Sequence, residues 1–203
     1  MVLLTGAGAV LAACATLDKA PEAYLSKYNV TNPQPVQFPA CYSFGCSDSK
    51  MVRLTDQEWA EVRTIFDPRP TDAEAERARV AKAVALIETI VGPQANTSGD
   101  RGRNASGSNG SHQLDCIAET VNTTTFLFMM QEDDLITWHR LRYPQHRGLL
   151  DFLWPHNTAV LVEKTTGSAF AVDSWFFDNG QPPAIVPLDV WKKGYQPEDL
   201  NKK

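Results

Sequence analysis

The chain has 203 residues, 43% of them hydrophobic and 21% charged, with a formal net charge of −5. That length and composition suit one compact domain with appendages, and they supply enough apolar side chains for a core. The acidic balance does not invite a polyanion, and because nucleic-acid binding usually needs a clustered basic face to displace counterions, it argues against nucleic acid as a partner.

Met1 to Cys14 carry no charge and are dominated by apolar or small residues. The run is too short to span a bilayer as a helix, which takes about 20 apolar residues, but it fits the apolar core of a signal peptide. At its end, Leu11-Ala12-Ala13-Cys14 resembles the lipobox of bacterial lipoproteins. The resemblance implies that residues 1–14 are a signal segment and that Cys14 is lipidated. The protein would then be anchored in the bacterial cell envelope through its N-terminal lipid, facing the periplasm. Ala15 is not the aspartate that commonly holds such proteins at the inner membrane, which favours the outer one.

Residues 15–40 contain Pro21, Pro33, Pro35 and Pro39 with little periodicity, and they read as a tether followed by an extended arm. A single domain is expected over 41–203. Export places the cysteines in an oxidising compartment, where Cys41 and Cys46 are near enough in sequence to pair. So short a loop would contribute about 2 kcal/mol at best. With Cys14 carrying lipid, Cys116 is left without a partner, either as a buried bystander or as a reactive thiol.

Thr55-Asp-Gln-Glu58 has the form of a capping box and predicts a short helix to about Ile65. Thr71-Asp-Ala-Glu74 has the same form and predicts a long helix to about Val91. Val80, Val84, Ile87 and Val91 would line its buried face, and Gly92-Pro93 would stop it. Residues 96–111 have no side chain with an apolar body larger than alanine and read as a flexible loop. A helix is predicted over about 115–131, with Ser111 or Asp115 near its start. Its three consecutive threonines are poor helix formers, so burial has to hold it. Ile136–Arg142, Thr158–Val162 and Ala169–Asp173 then alternate as strands do, with Thr165-Thr-Gly167 as a hairpin turn. Pro187–Trp191 reads as a closing helical turn. Helices followed by an antiparallel meander define an α+β protein.

Cys116 falls in the first turn of its helix, where unsatisfied N–H groups and the positive dipole end favour a thiolate, the form that attacks. His156 opens a strand, and Asp173 ends the returning one. With a turn at 165–167, residue 173 lies opposite about 158–160, roughly a diagonal neighbour of His156. Such an aspartate would accept a ring N–H, fix the tautomer and stabilise the imidazolium.

This order of residues resembles the transglutaminase-like branch of the papain-like superfamily. The elements are a cysteine at a helix start, His156-Asn-Thr-Ala-Val-Leu-Val-Glu163, a glycine turn, and Ala171-Val-Asp-Ser-Trp175. The resemblance covers about residues 110–180. It implies a cysteine-bearing helix packed on an antiparallel sheet whose neighbouring strands bear histidine and aspartate, with no cofactor. It also implies a catalytic triad of Cys116, His156 and Asp173. Leu-Asp-Cys departs from the family in lacking a glycine two residues before the cysteine. The Cys116 backbone N–H is the expected oxyanion donor, with Gln113 as a candidate side-chain helper.

Metal binding is the competing chemistry. His112 and Cys116 are four apart, and His139 and His146 are further possible ligands, but no second tight pair completes a site, so no metal is expected. The basic stretch Trp138-His-Arg-Leu-Arg142 with Arg147 reads as a solvated strand face, and Trp175-Phe-Phe177 as core beside the site. The expected activity is thiol-dependent hydrolysis or acyl transfer at an amide of a protein or peptidoglycan peptide. The alternative is a non-catalytic envelope lipoprotein that uses the same scaffold as a binding module.

Overall fold

The computed structural model describes residues 19–104, 112–148 and 155–197. The expected signal segment with Cys14, and positions 105–111 of the expected loop, lie outside the described residues. The described chain opens with α1 (Glu22–Leu25), a 3-10 turn at Ser26–Tyr28 and β1 (Phe38–Cys41). A second 3-10 turn at Phe44–Cys46 leads to β2 (Ser49–Val52). Helices α2 (Asp56–Ile65), α3 (Ala73–Ala95) and α4 (Cys116–Glu132) follow. Strands β3 (His139–Arg147), β4 (His156–Glu163), β5 (Ala169–Asp173) and β6 (Ala184–Pro187) then precede α5 (Leu188–Lys192). The first two strands pair antiparallel, and the last four form an antiparallel meander in sequence order. The fold is α+β.

Both faces of the central strands are covered. Ala159, Leu161 and Val172 share a core with Ala118, Val121 and Leu127 of α4. Val160 and Ala171, one residue out of phase, pack instead with Phe176, Leu188 and Trp191. The period-2 alternation of a strand distributes these side chains between the two faces. Each fully buried leucine or valine, such as Leu161 or Val121, contributes about 1.5–3 kcal/mol.

The local signals act as their chemistry dictates, with three corrections. At α2 the capping box is complete: the Thr55 side chain accepts from Glu58 N, and the Glu58 side chain accepts from Thr55 N. At α3 the cap is Asp72 rather than Thr71, because the Asp72 carboxylate reaches Ala75 N at 2.7 Å. Nor does Gly92-Pro93 stop this helix. It runs to Ala95 and ends where Asn96 turns left-handed at φ 61°. Pro93 sits in the last turn and removes only one donor there. The third correction concerns the expected tether. Tyr24, Leu25, Val30, Phe38 and Ala40 are buried in the main core, so the arm is structural from about residue 21 onward.

Helix α4 reconciles its threonines with helical geometry through their hydroxyls. Thr120, Thr124 and Thr125 each donate to the carbonyl four residues back, at 2.6–2.8 Å. Thr123 instead meets Ser174 Oγ at 3.0 Å, which fastens the helix to the chain just beyond β5.

Candidate active site

Asp115 caps α4: its backbone is extended, and its carboxylate accepts from Ala118 N at 2.9 Å. Cys116 is therefore the first residue of the helix, half-buried and with a free thiol. The N–H groups of a first turn have no acceptor within their own helix.

The hairpin register pairs Ala159 with Val172, which sets Asp173 opposite Thr158 and brings its carboxylate to His156. His156 Nε2 and Asp173 Oδ2 are 2.7 Å apart. The same carboxylate oxygen accepts Trp191 Nε1–H at 2.7 Å, so α5 holds the aspartate from the far side. With Nε2 committed to Asp173, the other ring nitrogen, Nδ1, is the one left for the sulfur. Nδ1 is buried and makes no hydrogen bond of standard geometry, while the Cys116 side chain is a near neighbour that favours the charged ring. Burial alone would push the imidazolium down. The Asp173 charge, its hydrogen bond and Cys116 outweigh burial and raise His156 to about 9. The Cys116 sulfur also accepts a contact from Asn157 Nδ2 at 3.7 Å.

Aromatic rings exclude water from this pair. Trp175, Phe176 and Trp191 lie 4.5, 5.4 and 5.5 Å from the imidazole, centroid to centroid. Arg147, opposite His156 across the β3–β4 ladder, stacks on Trp191 at 4.5 Å and donates to the Trp191 and Tyr195 carbonyls. It is buried beneath the site, apart from exposed Arg140 of the same basic stretch.

Cys116, His156 and Asp173 are thus brought together. Gln113 is turned toward residues 99–104. Its amide oxygen accepts from Arg101 N and Asn104 Nδ2, and its amide nitrogen donates to Gly99 O. Those bonds belong to a correction at the site, because residues 97–104 are packed and not free. Asp100 accepts from Leu114 N at 2.6 Å, and Asp178 accepts from Gly102 N at 3.0 Å. A Cβ on Gly102 would come within 2.5 Å of Phe176 O, so this glycine serves close approach and not flexibility.

Under the start of α4, Asp100, Glu119 and Glu88 form a buried acidic group. Glu119 lies one turn beyond Cys116. Burial and the neighbouring Glu88 and Asp100 charges push its carboxyl well above the usual range, so it holds a proton against Asp100. Burial likewise moves Glu88 to about 7 and Asp100 to about 6. Among the described residues no group of three His, Cys, Asp or Glu side chains is arranged to hold a metal. His139 is wholly buried against Glu76 at 2.8 Å, and His112 stacks on Tyr42. Elsewhere, a cavity of about 290 Å³ between residues 33–36 and the ends of α2 and α4 contains Asp133, which is paired with Arg63, and no nucleophile.

Sequence reasoning missed Asn157, Trp191 and Arg147. Asn157 adjoins the histidine and Trp191 ends the expected closing turn, but neither carries a pattern that ties it to Cys116. No protein-family model matches the chain, and no curated protein or solved structure matches it either.

Proposed function

We propose that the chain is a thiol enzyme that cleaves or transfers the acyl group of an amide through Cys116, His156 and Asp173. The observation that carries this reading is the imidazole itself. One nitrogen is fixed by Asp173, which Trp191 holds in turn, and the ring is a close neighbour of a half-exposed cysteine at a helix start. A cysteine kept only for packing needs none of these partners.

In this mechanism the Cys116 proton passes to His156 Nδ1 and the sulfur attacks the amide carbonyl carbon. The C–S bond forms as the carbonyl electron pair moves to oxygen. The Cys116 N–H and the Asn157 amide are the donors proposed for that oxyanion. Collapse of the intermediate breaks the C–N bond, and the amine leaves with the proton from His156. Water or a second amine, deprotonated by His156, then attacks the thioester to give an acid or a new amide and restore the thiol. Asp173 orients the ring.

The lipobox resemblance adds an envelope location, with periplasmic proteins and peptidoglycan peptides as the substrate pool. The triad order adds the transglutaminase-like, papain-like assignment of the fold. The alternative, a non-catalytic binding module, would leave the hold of Asp173 and Trp191 on an imidazole close to Cys116 without a purpose. Intact-mass spectrometry after incubation with peptide and peptidoglycan-peptide pools tests the proposal. An acyl adduct is expected on Cys116 that disappears with hydroxylamine and never forms on Cys116→Ala. If the pools turn over equally with Cys116→Ala, the proposal fails.

A further inference from the structure

A cavity of about 340 Å³ opens beside the Cys116 sulfur, near the small end of the range for sites that enclose a ligand group. Phe44, Ile117, Pro155 and Trp175 give it apolar walls, and Asn104 and Asn157 supply neutral amide groups. We infer that this cavity receives the side chain of the acyl donor, that this side chain is uncharged and apolar, and that Phe44 sets the preference. The inference rests on Cys116 being the nucleophile, since a group bound there would be the one nearest the attacked carbonyl.

Charge decides against the alternatives. No lysine, arginine or histidine is among the described lining residues, and the only carboxylate is Asp115, which is 5% exposed and engaged as the helix cap. A Lys or Glu side chain entering would lose hydration without gaining a counter-charge, whereas an apolar one gains by leaving water.

Phe44 is 51% exposed, unlike the phenylalanines of the core. It lies in the loop closed by the Cys41–Cys46 disulfide. Asn122 of α4 grips that loop at both polar groups of Cys41, accepting from its N–H at 2.8 Å and donating to its carbonyl at 3.1 Å. The helix that carries the nucleophile thus also holds the aromatic wall of the cavity. A substrate side chain would cover a ring that otherwise faces water.

The test uses N-acetyl aminoacyl chloromethyl ketones bearing Phe, Lys or Glu side chains, with iodoacetamide as the side-chain-free reference. Alkylation of Cys116 in the full chain is followed by intact mass. Each rate is divided by that of free cysteine with the same reagent and by the protein's own iodoacetamide rate. The Phe reagent is expected to lead the Lys and Glu reagents about tenfold or more, and Phe44→Ala, at an exposed position, to shrink that lead severalfold. Equal rates, a preference for the charged reagents, or a lead that Phe44→Ala leaves intact overturns the inference while the nucleophile stands. A Cys116 that reacts with iodoacetamide no faster than free cysteine removes the nucleophile, and the inference with it.

Discussion

His156 is buried on every side, yet its surroundings favour its charged form. The cause is the Asp173 carboxylate, which is itself held by Trp191 Nε1. Replacing Asp173 with Asn keeps the shape and removes the charge, leaving burial to dominate. In the wild type the His156 ring protons are expected to titrate near pH 9, and in Asp173→Asn at a clearly lower pH, read by NMR. That Cys116, His156 and Asp173 would lie near one another was legible in the sequence because each position follows from a local rule: a capped helix start, a strand opening and a hairpin register. For Gln113, proximity to the cysteine in sequence does not say which way an amide points, and its amide bonds to residues 99–104. Trp191 and Arg147 were not legible, since their roles arise only when α5 folds back across β5 and β3.

At the scale of elements, α4 does three jobs: it presents Cys116, covers one face of the sheet and clamps the disulfide loop. The clamp is a single side chain, Asn122, bonded to both backbone groups of buried Cys41. Asn122→Ala would leave a buried N–H and a buried C=O without partners. A loss of about 2 kcal/mol or more is expected in urea unfolding, each orphaned group costing about 1–3 kcal/mol. Helices α2 to α4 and strands β4 and β5 were legible from caps and periodicity, whereas α1 was hidden in the expected tether and β3, expected over 136–142, lies at His139–Arg147. The short strands β1, β2 and β6 were not: β1 contains Pro39, β2 is exposed along most of its length, and β6 is four residues ending in Pro187. The 97–104 segment was misread because its glycines look like those of a free loop. Gly102 instead permits close contact with the Phe176–Phe177 backbone.

For the whole molecule, the proton balance sets the pH response. Glu88, Asp100 and Glu119 have raised values in the folded chain, so it binds more protons than the unfolded chain. Their contribution is lost as pH rises through about 6 and 7 and, for Glu119, beyond. His156 adds a contribution fully present below about 6.5 and lost by about 9. Stability is therefore expected to fall from about pH 5 to about pH 9. Glu119→Gln cannot ionise, so its Tm relative to wild type should climb from pH 5 to pH 8 in scanning calorimetry. Each kcal/mol corresponds to about 2–4 °C at this chain length. The α+β class was legible because helices precede an alternating meander. The reach of the core into residues 21–40 was not, since four prolines mask the few apolar side chains that anchor them.

The most direct measurement of the central claim is the rate of Cys116 alkylation by iodoacetamide between pH 5.5 and 9, in the wild type and in His156→Ala. An imidazole that accepts the thiol proton makes the wild-type cysteine react faster than free cysteine at pH 6–7, by about tenfold or more, and the advantage disappears in His156→Ala. Rates that match free cysteine, or that are the same in both proteins across this range, would contradict a Cys116–His156 nucleophile.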